Sequence, residues 1–343
     1  MSSLRRDPLT HGWVIFAEDR FARPASAANR PVPAKTGTCA FCPGNESMTP
    51  KDVLTLKNTD GLSWRVRAIP NQFAVLRIEG KIQKSGEGPY DRMNGIGAHE
   101  VIIESPDHHA SLLDFSKEHM RDILYVCRER SRDLLKDSRF RYVQIFRNSG
   151  EAIGVTDAHP HSQVIALPIL PRVVREELAH SYEYWNVKER CLFCDMIAED
   201  RRGNRVVFQN ESFVALEPFA AKFPFETWIY PREHASAFHT ISDDLLPELA
   251  DVLLTTVTAF ATATPDTPYH IIFHSAPDMP EKSYHSRQAP VQEHYHWHIE
   301  IMPRGHRVAG FEYGTGTFIN SVLPEHAAEY LRSVIEEVRT SGS

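Results

Sequence analysis

Cysteine and histidine residues recur at short, regular spacings in both halves of this 343-residue chain. Each half contains one C-x-x-C pair and one H-x-H segment: Cys39 with Cys42, His159 with His161, Cys191 with Cys194, and His296 with His298. Thiolates and imidazoles are the ligands that zinc prefers, four of them in a tetrahedron. A neutral imidazole can also attack an activated phosphoryl group and carry it covalently. These residue types therefore indicate metal binding and nucleophilic catalysis.

Each half also places a histidine at the end of a strand-like segment, which completes a set of four metal ligands. The first set is Cys39, Cys42, His108 (or its neighbour His109) and His159, and the second is Cys191, Cys194, His234 and His296. Buried thiols or a redox pair are the alternatives, but a thioredoxin-like motif lies between a strand and a helix of a βαβ unit. Neither CAFC nor CLFC has that context, so we predict two zinc ions per chain.

The HPHSQVIALP segment has the pattern of a strand that begins beside a metal and continues into a catalytic site. Alternate residues of a strand face the same side, so His159, His161 and Gln163 project together. We predict that His159 binds the metal, that His161 is the nucleophile, and that the Gln163 amide donates to a phosphate oxygen. The alternative is a metal-binding or core role for His161, but HWHIEIMP in the second half lacks the Ser-Gln that follows His161. Which imidazole nitrogen attacks depends on the hydrogen bond that the other nitrogen makes.

The segment RNSGEAIGVTDAHPH, which leads into His161, has the composition of a phosphate-binding turn. A glycine-bearing turn can present backbone N–H groups to an anion, and a nearby hydroxyl can add another donor. The candidate phosphate contacts are Asn148, Gly150, Gly154 and Thr156.

The order of these motifs is the same in both halves, which predicts one structural unit used twice. In each half a C-x-x-C pair is followed by a strand, a helix, a second strand and the H-x-H strand. The helices are predicted from apolar stripes that follow the N-cap candidates Ser116 and Ser242. We predict an α+β fold with a mainly antiparallel sheet and flanking helices. The predicted domains are residues 1–180 and 181–343, with the boundary near a helical segment at 172–190.

Composition and charge argue against several classes of protein. The hydrophobic content of 42% and the charged content of 24% are ordinary for a globular protein. No run approaches the ~18 uninterrupted apolar residues of a membrane span, and no apolar run follows MSSLRRDPLTHGW as in a secretory signal. A formal net charge of -7 argues against non-specific nucleic-acid binding. We predict a cytoplasmic protein with neither nucleic acid nor a membrane as its partner.

Residues 148–163 follow the spacing N-x5-G-x-[ST]-x-x-H-P-H-x-Q, which resembles the active-site signature of the galactose-1-phosphate uridylyltransferases in the histidine-triad superfamily. The resemblance covers nearly the whole chain. DPLTHGWVIFAEDRFARP is similar to the family's N-terminal strand and arm, IPNQFAVL to its nucleoside-contacting segment, and GFEYGTGTFIN to its sugar-phosphate loop. It implies a duplicated histidine-triad-like fold. The contacts that it implies are Arg20, Arg23 and Asn71 to the nucleotide, and Phe311, Glu312 and Asn320 to the sugar phosphate.

The reaction implied by this resemblance is a double displacement. A nucleotide sugar gives its nucleoside monophosphate to His161, a hexose 1-phosphate leaves, and another hexose 1-phosphate accepts the nucleotide. The implied substrates are UDP-glucose or UDP-galactose and galactose 1-phosphate, in galactose metabolism. Family members are commonly homodimers, in which one N-terminal arginine reaches the partner's site.

Some residues depart from the pattern of this family. Ser162 stands where glycine is frequent, Gln72 where an acidic residue is common, and Phe311 where the aromatic residue is a tyrosine. CLFC and YHWHIEIMP are more similar to a branch that includes ADP-glucose phosphorylase, which carries two zinc sites and transfers adenylyl groups.

A second metal of another kind is found in some family members, which hold iron near the positions of Glu177, His274 and His298. Glu300 replaces a histidine of that set here, which favours zinc at the second cysteine pair.

The motifs are consistent with three functions of unequal weight. The main prediction is a hexose-1-phosphate uridylyltransferase, and the alternative is an adenylyl-transferring phosphorylase. A non-enzymatic nucleotide- or zinc-binding module is the third, but such a module has no need for HPHSQ after a glycine-bearing loop.

Overall fold

One antiparallel sheet of ten strands passes through both halves of the chain. The computed structural model describes residues 2–18, 38–150, 159–278, 290–305 and 308–341. Fifteen strands lie within these ranges: β1 Ser3–Arg6, β2 Trp13–Phe16, β3 Leu54–Lys57, β4 Trp64–Pro70, β5 Lys84–Glu87, β6 Tyr90–Met93, β7 Ala98–Ile103, β8 Tyr142–Ser149, β9 His161–Leu167, β10 Val206–Gln209, β11 Phe213–Leu216, β12 Thr227–Pro231, β13 Tyr269–His274, β14 His298–Pro303 and β15 Phe318–Asn320. The seven α-helices of the same ranges are α1 Lys117–Leu134, α2 Arg172–Lys188, α3 Leu192–Asp200, α4 Leu246–Ala263, α5 Val291–His294, α6 Gly310–Thr315 and α7 Pro324–Ser341.

The strand order across the large sheet shows the duplication. It runs β10-β11-β12-β14-β13-β8-β9-β7-β4-β3, so each half of the chain supplies five adjacent strands. The halves meet where β8 pairs with β13, with Ser149 opposite Tyr269. In chain order the five strands are β3, β4, β7, β8 and β9 in the first half, and β10 to β14 in the second. In each half the fourth strand lies at this seam, and the fifth, third, second and first follow outward from it. The predicted α+β fold with a repeated antiparallel unit is confirmed.

The two long central helices, one from each half, pack against each other and against the sheet. Both belong to the largest apolar cluster, to which α1 contributes Ile123 and Cys127, and α4 contributes Leu249 and Leu253. Cys127 is a core residue, since it is 2% exposed. By length and composition the segment Asp243–Ala263 could cross a membrane, but half of its apolar window is buried inside the fold, as expected for a core helix.

The starts of these two helices differ. Ser116 caps α1, because its hydroxyl accepts the N–H of His119 at 3.2 Å. The prediction that Ser242 caps the second helix is wrong. Ser242 precedes a 3₁₀ turn, Asp243–Leu245, makes no side-chain cap hydrogen bond, and is followed by α4 only from Leu246.

The opposite face of the second half carries a separate apolar cluster. Alternate residues of β12 divide between the two faces, with Ile229 in the large cluster and Trp228 and Tyr230 in the second one. Cys191 and Phe193 of the CLFC segment also lie in this second cluster. The predicted domain boundary at residues 180 and 181 falls inside α2 and stays a prediction.

A small sheet joins the two ends of the chain. β1 pairs with β2, and β15 lies parallel to β2 on its other side. The Arg5 guanidinium forms an ion pair with Glu325 of α7 at 2.9 Å. The turn between β1 and β2 contacts α2, since the His180 imidazole hydrogen-bonds to the Leu9 carbonyl at 2.7 Å.

Candidate functional site

The two histidines of the HPH segment lie at the start of β9 with different exposures. His159 is 1% exposed, whereas the His161 side chain is half-buried and reaches the surface. Both rings contact the edge or face of Phe41, at centroid distances of 6.0 and 5.8 Å. The two imidazoles therefore lie on the same side of the strand, beside the CAFC segment.

One nitrogen of His161 is fixed by the backbone. Its Nδ1 lies 2.9 Å from the carbonyl oxygen of His159, which can only accept a hydrogen bond. Nδ1 therefore carries the proton, and the Nε2 lone pair is available for attack. The structure thus answers the question that the sequence left open: in His161, Nε2 is the ring nitrogen whose lone pair is available.

Gln163 is held by a histidine that the sequence analysis missed. The Val75 N–H donates to His99 Nδ1 at 3.3 Å, so the His99 proton lies on Nε2. That Nε2–H donates to Gln163 Oε1 at 2.8 Å, which leaves the Gln163 amide NH₂ free to donate elsewhere. The Asn71 amide nitrogen lies 3.1 Å from the same His99 nitrogen, so Asn71, His99 and Gln163 come together.

The register of the sheet explains why His99 reaches this site. β7 pairs with β9 so that Val101 lies opposite Gln163, and His99 is two residues earlier on β7. Residues two apart on a strand share a face, so His99 projects on the same face as Gln163. The sequence signal for this role was weak, because His99 is only a polar residue within the strand-like segment AHEVII. The strand that pairs with this segment could not be identified from the sequence.

The opposite face of β9 is anchored by a buried polar network. The Ser162 hydroxyl donates to Glu104 Oε1 at 2.5 Å, and Arg147 Nε donates to the two Glu104 oxygens at 3.0 and 3.1 Å. His119 Nε2 also donates to the Glu104 carbonyl oxygen at 2.7 Å. Ser162, which departs from the family's glycine, therefore ties β9 to β7 and β8 directly behind His161.

The phosphate-loop candidates are only partly described. Asn148 lies near the end of β8, where its Oδ1 accepts a hydrogen bond from His270 Nδ1 at 2.7 Å. Gly150 has φ +100°, and a Cβ there would lie 2.9 Å from Pro268, so glycine is required at this turn. Gly154 and Thr156, like Arg20 and Arg23 of the N-terminal arm, lie outside the described residues.

The four predicted ligands of the first metal converge. Cys42 Sγ lies 3.4 Å from His108 Nδ1 and 3.7 Å from His159 Nδ1, and Cys39 Sγ lies 3.8 Å from the same His159 nitrogen. Of the two histidines left open, His108 is the one in the cluster. Burial lowers the pKa of His159, which favours the neutral imidazole that a metal requires.

The second predicted set converges in the same way. Cys194 Sγ lies 3.3 Å from His234 Nδ1 and 3.5 Å from His296 Nδ1, and Cys191 completes the group. The hydrogen bond from the Cys191 thiol lowers the pKa of Cys194 to about 3. The hydrogen bond to this sulfur raises the pKa of His234.

The separations in both clusters fit a tetrahedral ion. Zinc–sulfur and zinc–nitrogen bonds of about 2.3 and 2.05 Å at tetrahedral angles place sulfur and nitrogen about 3.6 Å apart. The ring nitrogens that face away from the clusters are also occupied. His159 donates to the Ser105 carbonyl at 2.6 Å, His234 to that of Gln292 at 2.7 Å, and His296 to that of Pro231 at 3.0 Å. Such outer hydrogen bonds fix the tautomer and orientation of metal-binding histidines.

A third cluster lies in the core of the second half. It consists of four buried residues, Glu177, His274, His298 and Glu300, the set that the resemblance aligns with the iron ligands of some family members. The His274 Nδ1 lies 2.9 Å from Glu177, and its Nε2 lies 3.6 Å from Glu300. These carboxylates outweigh the effect of burial and raise the pKa of His274 to about 9.

The predicted sugar-phosphate residues lie apart from β9. Phe311 is on α6 and 45% exposed, and Glu312 accepts the Ala309 N–H at 3.0 Å. Asn320 is buried at the end of β15, where its amide donates to the Ala221 carbonyl and accepts the Val322 N–H. Across the described ranges, no hydrogen bond links these three residues to His161 or Gln163.

Comparisons with known proteins agree with this arrangement. A family model described as galactose-1-phosphate uridyl transferase, N-terminal domain, matches residues 1–171, and one described as a domain of unknown function (DUF4921) matches residues 100–343. ADP-glucose phosphorylase from Arabidopsis thaliana is 33% identical over 96% of this chain and 92% of its own length. Galactose-1-phosphate uridylyltransferase from Thermotoga maritima is 28% identical over 98% of this chain and the whole of that protein.

Solved structures include relatives of the same two kinds. The crystal structure of the Arabidopsis ADP-glucose phosphorylase with bound ADP-glucose superposes with a TM-score of 0.82 and 31% identity, and the match covers 97% of this chain and 98% of that one. A structure of uridylyltransferase superposes with a TM-score of 0.75 and 28% identity, over 98% and 99% of the two chains.

Proposed function

The chain belongs to the galactose-1-phosphate uridylyltransferase family and is a nucleotidyltransferase, and from that premise we propose that it transfers a nucleoside monophosphate from a nucleotide sugar to a second phosphate through His161. The observation that carries this proposal is the 2.9 Å contact between His161 Nδ1 and the His159 carbonyl oxygen, which places the proton on Nδ1 and leaves Nε2 as a nucleophile on the same strand face as the Gln163 amide.

The proposed reaction has two balanced displacements. In the first, the Nε2 lone pair bonds to the α-phosphorus, the bond from phosphorus to the bridging oxygen breaks, and a hexose 1-phosphate leaves. In the second, a phosphate oxygen of the acceptor bonds to the same phosphorus and the Nε2–phosphorus bond breaks. The His159 carbonyl accepts from Nδ1–H throughout, and it stabilises the positive charge that the imidazole acquires.

Other residues would bind and orient the substrates. The Gln163 NH₂ is proposed to donate to a non-bridging oxygen on which charge grows during transfer. The proposed phosphate or nucleotide contacts include Arg20, Arg23, Gly154 and Thr156. The further proposed contacts are Asn71 and Asn148 for the nucleotide, and Phe311, Glu312 and Asn320 for the sugar phosphate.

The two Cys₂His₂ clusters are proposed to hold one zinc ion each. Their sulfur–nitrogen separations of 3.3–3.8 Å support this assignment, as does their closed set of four ligands. Zinc in such a closed site contributes to folding and supplies no reactive position. At the first site it would tie His159 to the CAFC segment, which positions His161 two residues further on.

The first candidate reaction is hexose-1-phosphate uridylyl transfer, in which UDP-glucose is the donor and galactose 1-phosphate the acceptor. The second is adenylyl transfer from ADP-glucose to a phosphate acceptor. The second is favoured by the 33% identity and the TM-score of 0.82 to ADP-glucose phosphorylase, and by the second cysteine cluster. We further propose that the enzyme is a cytoplasmic homodimer, for which light scattering in solution would give the subunit number.

Intact-protein mass spectrometry distinguishes these candidates. The protein is incubated separately with UDP-glucose and ADP-glucose, without acceptor, and with His161→Asn as the matched control. A uridylyl adduct supports the first candidate, and an adenylyl adduct supports the second. Galactose 1-phosphate and inorganic phosphate are then added to the adduct, and the acceptor that removes it is identified. Absence of both adducts from the wild type, or an adduct on His161→Asn, would contradict a covalent His161 intermediate.

A further inference from the structure

A fourth group of metal-binding side chains lies outside all of the clusters above. The His11 imidazole, in the turn between β1 and β2, stacks on His180 of α2 with ring centroids 3.6 Å apart and an angle of 25° between the planes. Glu183 follows His180 by three residues on α2, which places both on one face of the helix. One ligand atom from each of the three residues lies within 4.8 Å of the others.

The backbone at His11 is strained in a way that requires an explanation. Its φ is +58°, in the left-handed region that glycine occupies freely and that other residues avoid. The turn enforces this conformation through two backbone hydrogen bonds. The His11 N–H donates to the Asp7 carbonyl oxygen at 2.9 Å, and the Asp7 N–H donates to the Gly12 carbonyl oxygen at 2.8 Å. Strained positions of this kind cluster at functional sites. Four of the described non-glycine residues have positive φ, and of these His11 is the one that belongs to a group of metal-ligating side chains.

The His180 ring is oriented as in the two cysteine clusters. Its Nδ1–H donates to the Leu9 carbonyl at 2.7 Å, which leaves the Nε2 lone pair free. The same arrangement is found in three histidines of the cysteine clusters, His159, His234 and His296. In each of them one ring N–H donates a hydrogen bond to a backbone carbonyl, and the other ring nitrogen faces the cluster. This hydrogen bond raises ligand basicity and fixes the tautomer.

The charges around the pair are compatible with a bound cation. The Glu183 and Asp7 carboxylates supply two negative charges near His11, against the one positive charge of Arg6.

We propose that His11, His180 and Glu183 form a binding site for a divalent transition-metal ion. Two imidazoles and one carboxylate suit zinc, nickel or copper, with water at the remaining positions. The ion would join the turn between β1 and β2 to α2. It would thereby fix the segment that leads to the N-terminal arm.

Calorimetric titration of the untagged protein with Ni²⁺ tests this proposal, after the metal in the cysteine clusters has been measured by elemental analysis. One additional Ni²⁺ should bind per chain and raise the melting temperature. His11→Gly and His180→Ala should each raise the Kd by at least about tenfold. His326→Ala is the matched control, because His326 is an exposed histidine that pairs with Glu18 at 3.1 Å outside the site. This variant should bind Ni²⁺ as the wild type does.

His11→Gly separates loss of the site from loss of the fold. Glycine removes the strain at φ +58°, so the melting temperature without added Ni²⁺ should be unchanged or higher, while the Ni²⁺-induced rise disappears. The proposal is overturned if the wild type binds no additional Ni²⁺, or if His11→Gly and His180→Ala bind it as tightly as the wild type.

Discussion

Gln163 and His99 make the most specific mechanistic prediction of this site. The Gln163 carbonyl oxygen accepts a hydrogen bond from His99 Nε2–H at 2.8 Å, so only its NH₂ group is available to the phosphate. Gln163→Ala removes the donor. Gln163→Glu keeps the acceptor for His99 but replaces the donor by a carboxylate. His99→Ala keeps the donor and removes the group that orients it.

The expected magnitudes follow from these roles. Loss of one donor to a developing negative charge costs ~10²–10³ in rate, or about 2.7–4 kcal/mol. Gln163→Ala should show that loss in kcat with little change in zinc content. Gln163→Glu should be slower still, because its negative charge repels the phosphate. His99→Ala should lose about 10–100-fold, the effect typical of a residue that orients another.

Rapid-quench measurement of the first half-reaction isolates these effects. Labelled nucleotide sugar is mixed with enzyme in excess, and the covalent nucleotidyl adduct is counted over time. Melting temperature and metal content of each variant are measured in parallel, because His99 is largely buried. If Gln163→Glu formed the adduct as fast as the wild type, donation by the NH₂ group would be refuted. A wild-type rate for His99→Ala would remove His99 from the orienting role.

Three further predictions concern the nucleophile, the second metal and stability. His161→Asn should abolish exchange between a nucleotide sugar and its sugar phosphate while the circular dichroism spectrum is retained; continued exchange of label would rule out His161. Cys191→Ser should lower bound zinc from about two ions per chain to about one and reduce the melting temperature, with a near-normal KM; elemental analysis that finds one zinc in the wild type would contradict it. Asp52→Ala should destabilise the fold by about 2 kcal/mol, below the ~3–5 kcal/mol of a fully buried pair, because Asp52 is 32% exposed and Arg67 2% exposed. Burial raises the pKa of Asp52, but hydrogen bonds from Arg67 and Thr55 outweigh it and lower the pKa. The stabilisation of the fold by the Asp52 carboxylate is therefore complete above about pH 4 and is lost as pH falls through the lowered pKa. The urea midpoints of the wild type and of Asp52→Ala should accordingly converge in acid.

The repeated motifs made the fold predictable from sequence to a considerable depth. The strands that the repeat predicts are confirmed, among them Ala98–Ile103 before the first central helix and Tyr269–His274 after the second. Local signals succeeded where the hydrogen bond is local, as at Ser116. They failed at Ser242, because a 3₁₀ turn separates that residue from the helix.

Contacts that depend on strand register could not be predicted. His99 and Gln163 are 64 residues apart, and only the pairing of β7 with β9 brings them together. The proton position on His161 depends on the direction of the His159 carbonyl, two residues earlier, which sequence patterns do not give. His11 and His180 have no motif in common, and they meet because the β1–β2 turn packs on α2.

The two H-x-H strands show why duplication of the fold does not duplicate the chemistry. Val101 lies opposite Gln163 in the β7–β9 pair, and Trp228 lies opposite Glu300 in the matching β12–β14 pair. The Trp228 and His274 rings both stack on the His298 imidazole, with ring centroids 5.4 and 4.6 Å from it.

His298 is the positional counterpart of His161, but it is fully buried, and burial with the nearby His274 lowers its pKa to about 3. A nucleophile must be reached by its substrate, and no phosphate can approach an imidazole enclosed by aromatic rings and two carboxylates. Glu300 would in addition repel a phosphate at the position where Gln163 can donate to one. The second strand therefore serves packing and leads out of the Cys₂His₂ cluster that contains His296, whereas the half-buried His161 is the member of the pair that a substrate can reach.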